Sequence, residues 1–178
     1  MRKFLLAAAL TCPVSAHDLV NLQLPYWGLD HQTHQGILVV NQAVKDQVIH
    51  IFKILYQAKF PIAKMKPLED YDNNDQKALE DNDTFAYSCR MMTGNKNVFS
   101  KHAYGLAVDI NPVFNPYIYH HKNNMIILPG NGKLYINRNL NQPGMIYPNS
   151  IVTRTFRQYG WQWGGYWHSL KDYQHFEK

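Results

Sequence analysis

The sequence predicts an α+β domain in which a few helices pack against a small, mostly antiparallel sheet. Residues 41–59 carry apolar side chains at helical spacing with polar side chains between them, which is typical of an amphipathic helix. Short apolar segments at 85–92 and 105–110 have the length and composition of strands. Both kinds of element occur without a recognisable linker between them, so we expect one mixed domain.

The helix at 41–59 is the clearest element in the chain. Pro61 ends it, because proline lacks the backbone N–H that a helix needs. The next segment, "FPIAKMKPL", has a partly alternating pattern and is expected to be extended. The predicted buried face of the helix consists of Val44, Val48, Ile51, Phe52 and Leu55.

The rest of the chain is divided by polar and turn-forming residues. The acidic stretch 69–84 is expected to be a solvated surface loop with one short helical turn, and its spacing is not that of an EF-hand calcium loop. Prolines and glycines between 112 and 148 exclude one continuous element there. A second helix is predicted from Asn149 or Ser150 to Tyr159, with Gly160 as its stop signal.

Residues 1–16 have the three parts of a secretory signal peptide. Arg2 and Lys3 precede a short apolar run at 4–10, and Val14-Ser15-Ala16 has small residues at the positions that a signal peptidase requires. We therefore expect cleavage after Ala16, export to the periplasm or the cell exterior, and a single domain at 17–178. No later apolar run is long enough to span a bilayer.

Composition and charge indicate which classes of molecule this protein can bind. The chain is 46% hydrophobic and 17% charged, which favours a globular domain over a disordered one. Removal of Arg2 and Lys3 leaves 16 basic and 13 acidic residues, a mild excess that suits an anionic polymer such as a cell wall. Lysine and arginine are scattered without interleaved aromatics, which argues against nucleic acid. The same cleavage would leave Cys89 as the only cysteine, excluding an intramolecular disulfide.

Two short motifs carry the candidate chemistry. In "SKHAYGLAVDINP", His102 and Asp109 border a short apolar strand, and Gly105 permits a turn between them. Taken alone, this pair either binds a metal or makes local hydrogen bonds at a turn. Near the end of the chain, "DYQHFE" adds His175 as a third ligand, which would leave a fourth zinc position open, and Asp172 as a carboxylate able to transfer a proton.

Together the two motifs resemble the zinc D-alanyl-D-alanine carboxypeptidase and L-alanyl-D-glutamate endopeptidase family, which has the hedgehog/DD-peptidase fold. The family pattern is Ser-x-His-x-x-Gly-x-Ala-x-Asp, followed near the end by Asp or Glu-x-x-His. The resemblance covers most of residues 17–178 and is weakest after the predicted cleavage site and at about 120–148. The matching positions are Ser100, His102, Gly105, Ala107, Asp109, Asp172 and His175.

The resemblance implies a role for each of these side chains. His102, Asp109 and His175 would hold one Zn²⁺ per chain, and Asp172 would act first as general base and then as general acid. Carboxylates at such sites take a proton from water and return it to the departing amine.

Three further residues have two readings each. By the resemblance, Arg90 lies near the metal and faces the developing oxyanion or a substrate carboxylate; the alternative is an ion pair with the acidic stretch 69–84. Ser100 would support the ligand loop rather than attack substrate. Trp167 would form one wall of a peptide groove, although core packing is the general expectation for the aromatic cluster at 161–167.

The predicted protein is thus an exported, monomeric zinc metallopeptidase acting on peptidoglycan stem peptides, as a D,D-carboxypeptidase or an L-Ala-D-Glu endopeptidase. One alternative is a cysteine enzyme, because "YSCRM" faintly resembles an L,D-transpeptidase signature, but the glycine before Cys89 and the spacing before Arg90 are missing. Another is a zinc-containing binding module of the same fold without catalysis. The presence of Asp172 favours the enzyme.

Overall fold

The computed structural model describes residues 11–122 and 124–178. Its α-helices are α1 (Lys45–Gln57), α2 (Asp75–Glu80) and α3 (Ile151–Gln158). Its strands are β1 (Leu19–Gly28), β2 (Thr33–Asn41), β3 (Pro61–Ile62), β4 (Met91–Met92), β5 (Asn95–Phe99), β6 (Ala107–Asp109), β7 (Tyr117–His121), β8 (Asn124–Leu128), β9 (Gln162–Trp163), β10 (Lys171–Asp172) and β11 (His175–Glu177). The predicted α+β class is confirmed.

The strands form several small sheets instead of the single sheet that was predicted. Their orders are β2-β1-β3, β10-β7-β8, β6-β11-β9 and β4-β5. Every pairing is antiparallel except that between β1 and β3. Most strands outside the β1–β2 hairpin are short because prolines and glycines interrupt the chain.

The long β1–β2 hairpin was not predicted. It runs from the Leu19–Asn41 pair to the Trp27–Thr33 pair, and alternate residues of each strand point into the core. Leu22 and Leu24 of β1 and Leu38 and Val40 of β2 are buried. This period of two is the strand signal that the sequence does contain at 19–41.

Helix α1 packs against this hairpin, as its amphipathic pattern predicts. A 3-10 turn at Gln42–Val44 precedes it, and the Asn41 side chain accepts a hydrogen bond from the Ala43 N–H at the start of that turn. All five residues of the predicted core face are buried. Helix α3 also begins and ends as predicted, with Ser150 as its cap and Gly160 at a φ of +76° just after it.

Two predictions about local structure were wrong. Only Met91–Met92 of the segment 85–92 is a strand, because the backbone of residues 84–88 bonds to several different segments instead of one neighbour. The acidic stretch 69–84 is not solvated throughout: Asp83 and Thr84 are fully buried. The Asp83 Oδ1 accepts a hydrogen bond from the Lys66 backbone N–H, 3.0 Å away, which compensates part of the cost of burying it.

Cys89 is not a lone cysteine, contrary to the prediction. It forms a disulfide with Cys12, across a sequence separation of 77. Cys12 precedes the predicted cleavage point, so this disulfide can exist within one chain only if Cys12 is retained. A disulfide-bonded Cys89 is also not available as a thiolate nucleophile.

The main core lies between the β1–β2 hairpin, α1, α3 and the β6-β11-β9 sheet. Its C-terminal part includes Val108 of β6, Phe156 of α3 and Phe176 of β11, all fully buried. The Phe156 and Phe176 rings stack with their centres 4.0 Å apart. This packing holds β11, and therefore the site described below, against the core. None of the helices in 11–122 and 124–178 has the length and hydrophobicity needed to cross a lipid bilayer.

Candidate active site

His102, Asp109 and His175 converge at one buried point. The His102 Nε2 lies 3.2 Å from the Asp109 Oδ1, the His175 Nδ1 lies 2.9 Å from the same oxygen, and the two nitrogens are 3.1 Å apart. The three residues are 0%, 2% and 6% exposed, so the cluster is largely shielded from bulk solvent. They form a group able to hold a metal ion.

Local structure explains how the three side chains meet. Strands β6 and β11 are antiparallel neighbours, and their register places His175 directly opposite Asp109. His102 lies in a 3-10 turn, Lys101–Tyr104, that ends at Gly105 with a φ of +66°. A Cβ on Gly105 would lie 2.6 Å from the Asn41 nitrogen, so glycine is required both for the turn and for this close approach. Gly105 therefore has the predicted role of turning the chain between His102 and Asp109.

The outer nitrogens of both imidazoles are held by acceptors. The His102 Nδ1 lies 2.5 Å from the Ala86 carbonyl oxygen, and the His175 Nε2 lies 3.1 Å from the Glu177 Oε2. Because these oxygens can only accept, the outer nitrogens carry the protons. Metal binding requires both rings to be neutral, and in that state their inner nitrogens direct lone pairs at the same point as the Asp109 oxygen. Three electron-pair donors facing one point repel one another unless a cation lies between them, so the donor set fits a metal such as zinc.

The pKa values of His102, Asp109 and His175 are shifted by burial and by the contacts among these side chains. Burial lowers the pKa of His102. Burial opposes ionisation of Asp109 as well, but its contacts with His102 and His175 hold its pKa below the usual range. Although burial disfavours the charged form of His175, its hydrogen bonds with Asp109 and Glu177 raise its pKa to about 10. The cluster therefore favours a positive charge at its centre.

Ser100 caps the 3-10 turn that carries His102. Its Oγ accepts a hydrogen bond from the His102 backbone N–H, 3.3 Å away, at the start of the 3-10 turn. The side chain is buried and is held to the backbone of the turn. This contact is the one that the predicted supporting role of Ser100 requires.

Asp172 lies on β10 and lines the same cleft as His175. Its Oδ1 is buried without a hydrogen-bond partner, although the residue as a whole is partly exposed. Burial raises the pKa of Asp172 to about 7, with the nearby Asp109 charge acting in the same direction and His175 against it. A carboxylate in this environment can both accept and release a proton near neutral pH.

Arg90 also lines the cleft. Two arrangements were predicted for it, a position near the metal and an ion pair with the acidic stretch 69–84. Its Nε lies 2.5 Å from the Asp75 Oδ2, so the pairing with the acidic stretch that the sequence left open is present. Its Nη1 donates to the Met91 carbonyl oxygen, 3.2 Å away. The guanidinium is nevertheless close enough to the cluster to lower the pKa of Asp172. The ion pair and a position at the cleft are therefore compatible.

The cleft has a volume of about 560 Å³. Tyr117 and Trp167 contribute to its walls, together with Met92 and Val98 of the β4–β5 hairpin. A second cavity of about 520 Å³ continues from it, since Met92 and Tyr117 line both, and reaches Ile126 of the β7–β8 hairpin. Two hairpins therefore border a groove that passes the His-Asp-His cluster, and each of its two parts has a volume typical of small-ligand sites.

The aromatic cluster divides as the sequence predicted. Trp161 and Trp163 are buried and pack in the core. Trp167 is half-buried at the cleft, with its ring centre 5.5 Å from that of His175. Its position is suited to the predicted role of a groove wall.

Two residues at the site were missed by the motifs. Glu177 bonds to His175, and its signal was the strand period, which places side chains two residues apart on one face. Asp75 pairs with Arg90, and nothing in the sequence distinguished it from the other acids of the stretch 69–84.

The comparison with protein families agrees with this geometry. Residues 93–178, which contain His102, Asp109, Asp172 and His175, match the model of the family described as D-alanyl-D-alanine carboxypeptidase. Searches of curated proteins and of solved structures return no match. The part of the chain that holds the His-Asp-His cluster and Asp172 is thus similar to the D-alanyl-D-alanine carboxypeptidase family of peptidases.

Proposed function

We propose that this protein is an exported zinc metallopeptidase that hydrolyses a peptide bond in peptidoglycan stem peptides. The observation that carries the proposal is the buried convergence of His102, Asp109 and His175 beside Asp172 in an elongated cleft. The family match to a carboxypeptidase supports the same reaction class. We further propose that the domain acts as a monomer outside the cytoplasm. Removal of a leader peptide by cleavage after Ala16 would also remove Cys12 and with it the Cys12–Cys89 disulfide.

His102, Asp109 and His175 would hold the zinc ion. When bound, zinc supplies a Lewis acid that polarises a carbonyl group and lowers the pKa of water. The hydrogen bonds from the outer nitrogens to Ala86 and Glu177 keep the two rings turned so that their inner nitrogens face the ion position.

Asp172 would move the proton in the reaction. It takes a proton from the attacking water and returns it to the amine that leaves. A positioned carboxylate of this kind contributes roughly 10²- to 10⁴-fold to the rate. Its Oδ1 is buried with no hydrogen-bond partner in the protein, which favours the protonated form, and the residue lines the cleft.

Arg90 would stabilise negative charge at the substrate. The Asp75 carboxylate forms an ion pair with the guanidinium, although the Nε–H does not point along a hydrogen bond to it, and the other N–H groups include donors for a substrate oxygen. Tyr117 and Trp167 would bound the peptide on either side of the scissile bond.

The test is digestion of purified muropeptides followed by mass spectrometry, with and without a zinc chelator. We expect cleavage that the chelator abolishes and added zinc restores. Release of a terminal D-alanine would identify a D,D-carboxypeptidase, whereas separation of the peptide after L-alanine would identify an endopeptidase. Zinc binding without cleavage of any muropeptide would instead indicate a binding module, and chelator-resistant cleavage would exclude the metal mechanism.

A further inference from the structure

We infer that a third pocket, adjacent to the proposed peptide cleft, binds the N-acetylated sugars of the glycan strand. The inference rests on the proposed function. The pocket, here called the aromatic pocket, has a volume of about 610 Å³, within the usual range for small-ligand sites. Trp167 lines both the aromatic pocket and the peptide cleft. The principal residues that line the aromatic pocket are Arg157, Trp161, Trp163, Tyr166, Trp167 and His168.

Tyr166 and Trp167 supply the accessible aromatic surface of the pocket, and behind it Trp161 and Trp163 are each only 3% exposed and hold fixed orientations. The Trp161 Nε1 donates to the Gln47 Oε1, 3.1 Å away, and the Trp163 Nε1 donates to the Tyr173 carbonyl oxygen, 2.9 Å away. The polar edges of both indoles are thereby used inside the protein. Tyr166 packs edge-on against Trp163 with ring centres 5.0 Å apart, and is itself 44% exposed. Sugars stack their C–H faces on such exposed aromatic surfaces.

The rim of the aromatic pocket is polar. Arg157, Gln162 and His168 line it and are exposed. Within the described residues, the structure gives their side chains no hydrogen bond or ion pair, so their donors and acceptors are open to a ligand. An apolar wall with a neutral and basic rim matches a ligand that has both C–H faces and hydroxyl or acetamido groups.

The position of the aromatic pocket agrees with the chemistry of the proposed substrate. In peptidoglycan the stem peptide is attached to an amino sugar through an amide bond. A peptide lying in the cleft therefore carries its sugar only a short distance away, and Trp167 is the wall between the two cavities. Binding of the sugar would add contacts to those of the peptide, and so raise the affinity for substrates that retain their glycan.

The first experiment measures sugar binding without catalysis. Intrinsic tryptophan fluorescence is followed while the zinc-loaded protein is titrated with chitotriose, an uncharged N-acetylglucosamine trimer. We expect saturable binding that Tyr166→Ala weakens by about tenfold, as expected for loss of a stacking ring. The control is Leu134→Ala, which removes another exposed hydrophobic side chain, 66% exposed and not among the lining residues of this pocket.

A second variant guards against indirect effects, since Tyr166 also touches Trp163. The double substitution Arg157→Ala/His168→Ala removes two exposed side chains and should weaken chitotriose binding with no loss of folding. Absence of binding by the unaltered protein would overturn the inference. So would binding of an anionic polysaccharide such as heparin in place of chitotriose, because that result would assign the pocket to charge and not to stacking.

The second experiment compares substrates. The ratio of kcat/KM for a disaccharide-linked stem peptide to that for the free stem peptide should exceed one, and Tyr166→Ala should lower this ratio toward one while the free peptide is cleaved as before. Equal cleavage of both substrates by the unaltered protein would contradict the glycan site but leave the peptidase intact. Cleavage of neither substrate would contradict the proposed function itself.

Discussion

The Arg90 guanidinium forms an ion pair with the Asp75 carboxylate, with 2.5 Å between Nε and Oδ2. Asp75 is the first residue of α2, in the acidic stretch, whereas Arg90 lines the proposed peptide cleft. Both side chains are about three-quarters buried, at 26% and 28% exposure. The acidic stretch therefore supplies the group that orients a cation of the cleft.

Asp75→Asn should loosen Arg90 and reduce peptidase activity without removing the metal. Because a partly exposed ion pair is worth up to ~1 kcal/mol, we expect kcat/KM to fall by about fivefold. The measurement is steady-state hydrolysis together with the zinc content of the purified variant. Asp72→Asn is the matched control, since this exposed aspartate of the same stretch pairs with Lys77 instead. Equal losses in both variants would show that only the total charge of the segment matters.

Glu177→Gln should weaken zinc binding. Glu177 holds the outer nitrogen of His175 at 3.1 Å, and loss of such a partner typically reduces metal affinity by roughly 10- to 100-fold. Competition between the protein and a chromophoric chelator gives the zinc Kd directly, independent of turnover. Glu80→Gln, which changes the exposed Glu80 that bonds to Gln76, should leave the Kd unchanged. If Glu177→Gln had an unaltered zinc Kd, Glu177 would not be a positioning residue for His175.

Asp172→Asn and His175→Ala should separate catalysis from metal binding. Asp172→Asn is expected to retain zinc and lose roughly 10²- to 10⁴-fold in kcat, since it removes the proton carrier but no ligand. His175→Ala should lose both zinc and activity. Elemental analysis and muropeptide hydrolysis of the same preparations check this. Full activity of Asp172→Asn would mean that another group is the base.

Gly164→Ala should disturb Asp172 through the backbone. A Cβ at Gly164 would lie 2.7 Å from the Asp172 carbonyl oxygen and 2.8 Å from its Cβ, distances at which the strand has to move. We expect destabilisation of about 1–3 kcal/mol, as for other overpacked sites, and reduced kcat. Gly130→Ala is the control, because a Cβ there meets nothing within 4 Å. Thermal denaturation and hydrolysis rates measure the two effects. Equal stability and equal kcat in the two variants would contradict the prediction.

Asp83→Asn should change the pH dependence of folding. Burial raises the pKa of Asp83 to about 8, so between about pH 4 and pH 8 the folded protein keeps a proton that the unfolded chain releases. The contribution of Asp83 to the free energy of unfolding therefore decreases as pH rises through that interval, and it is lost above pH 8.

The variant lacks this titration, so its stability relative to the unaltered protein should be greater at pH 8 than at pH 4. Urea denaturation at both values measures the difference. The exposed Asp70→Asn serves as a charge control. A difference that does not change with pH would show that Asp83 is already ionised in the folded state.

The elements that were predicted correctly depend on local patterns. The apolar spacing in α1, the Ser150 cap and Gly160 stop of α3, and the Gly105 turn each involve residues within a few positions of one another. The site motifs are also local: each holds two functional residues at a spacing that a short turn or strand converts into proximity. Resemblance to a family then joined the two motifs.

What could not be predicted depends on contacts between distant segments. The Cys12–Cys89 disulfide, the Asp75–Arg90 pair and the burial of Asp83 all join or enclose groups whose neighbours come from elsewhere in the chain. Composition describes an acidic stretch as solvated, but it cannot say which carboxylate the rest of the fold will cover. Local sequence thus specified the proposed ligands and the turns that present them. Their common point exists only because β6 and β11 pair in register, an arrangement that the packing of Val108 and Phe176 into the core stabilises.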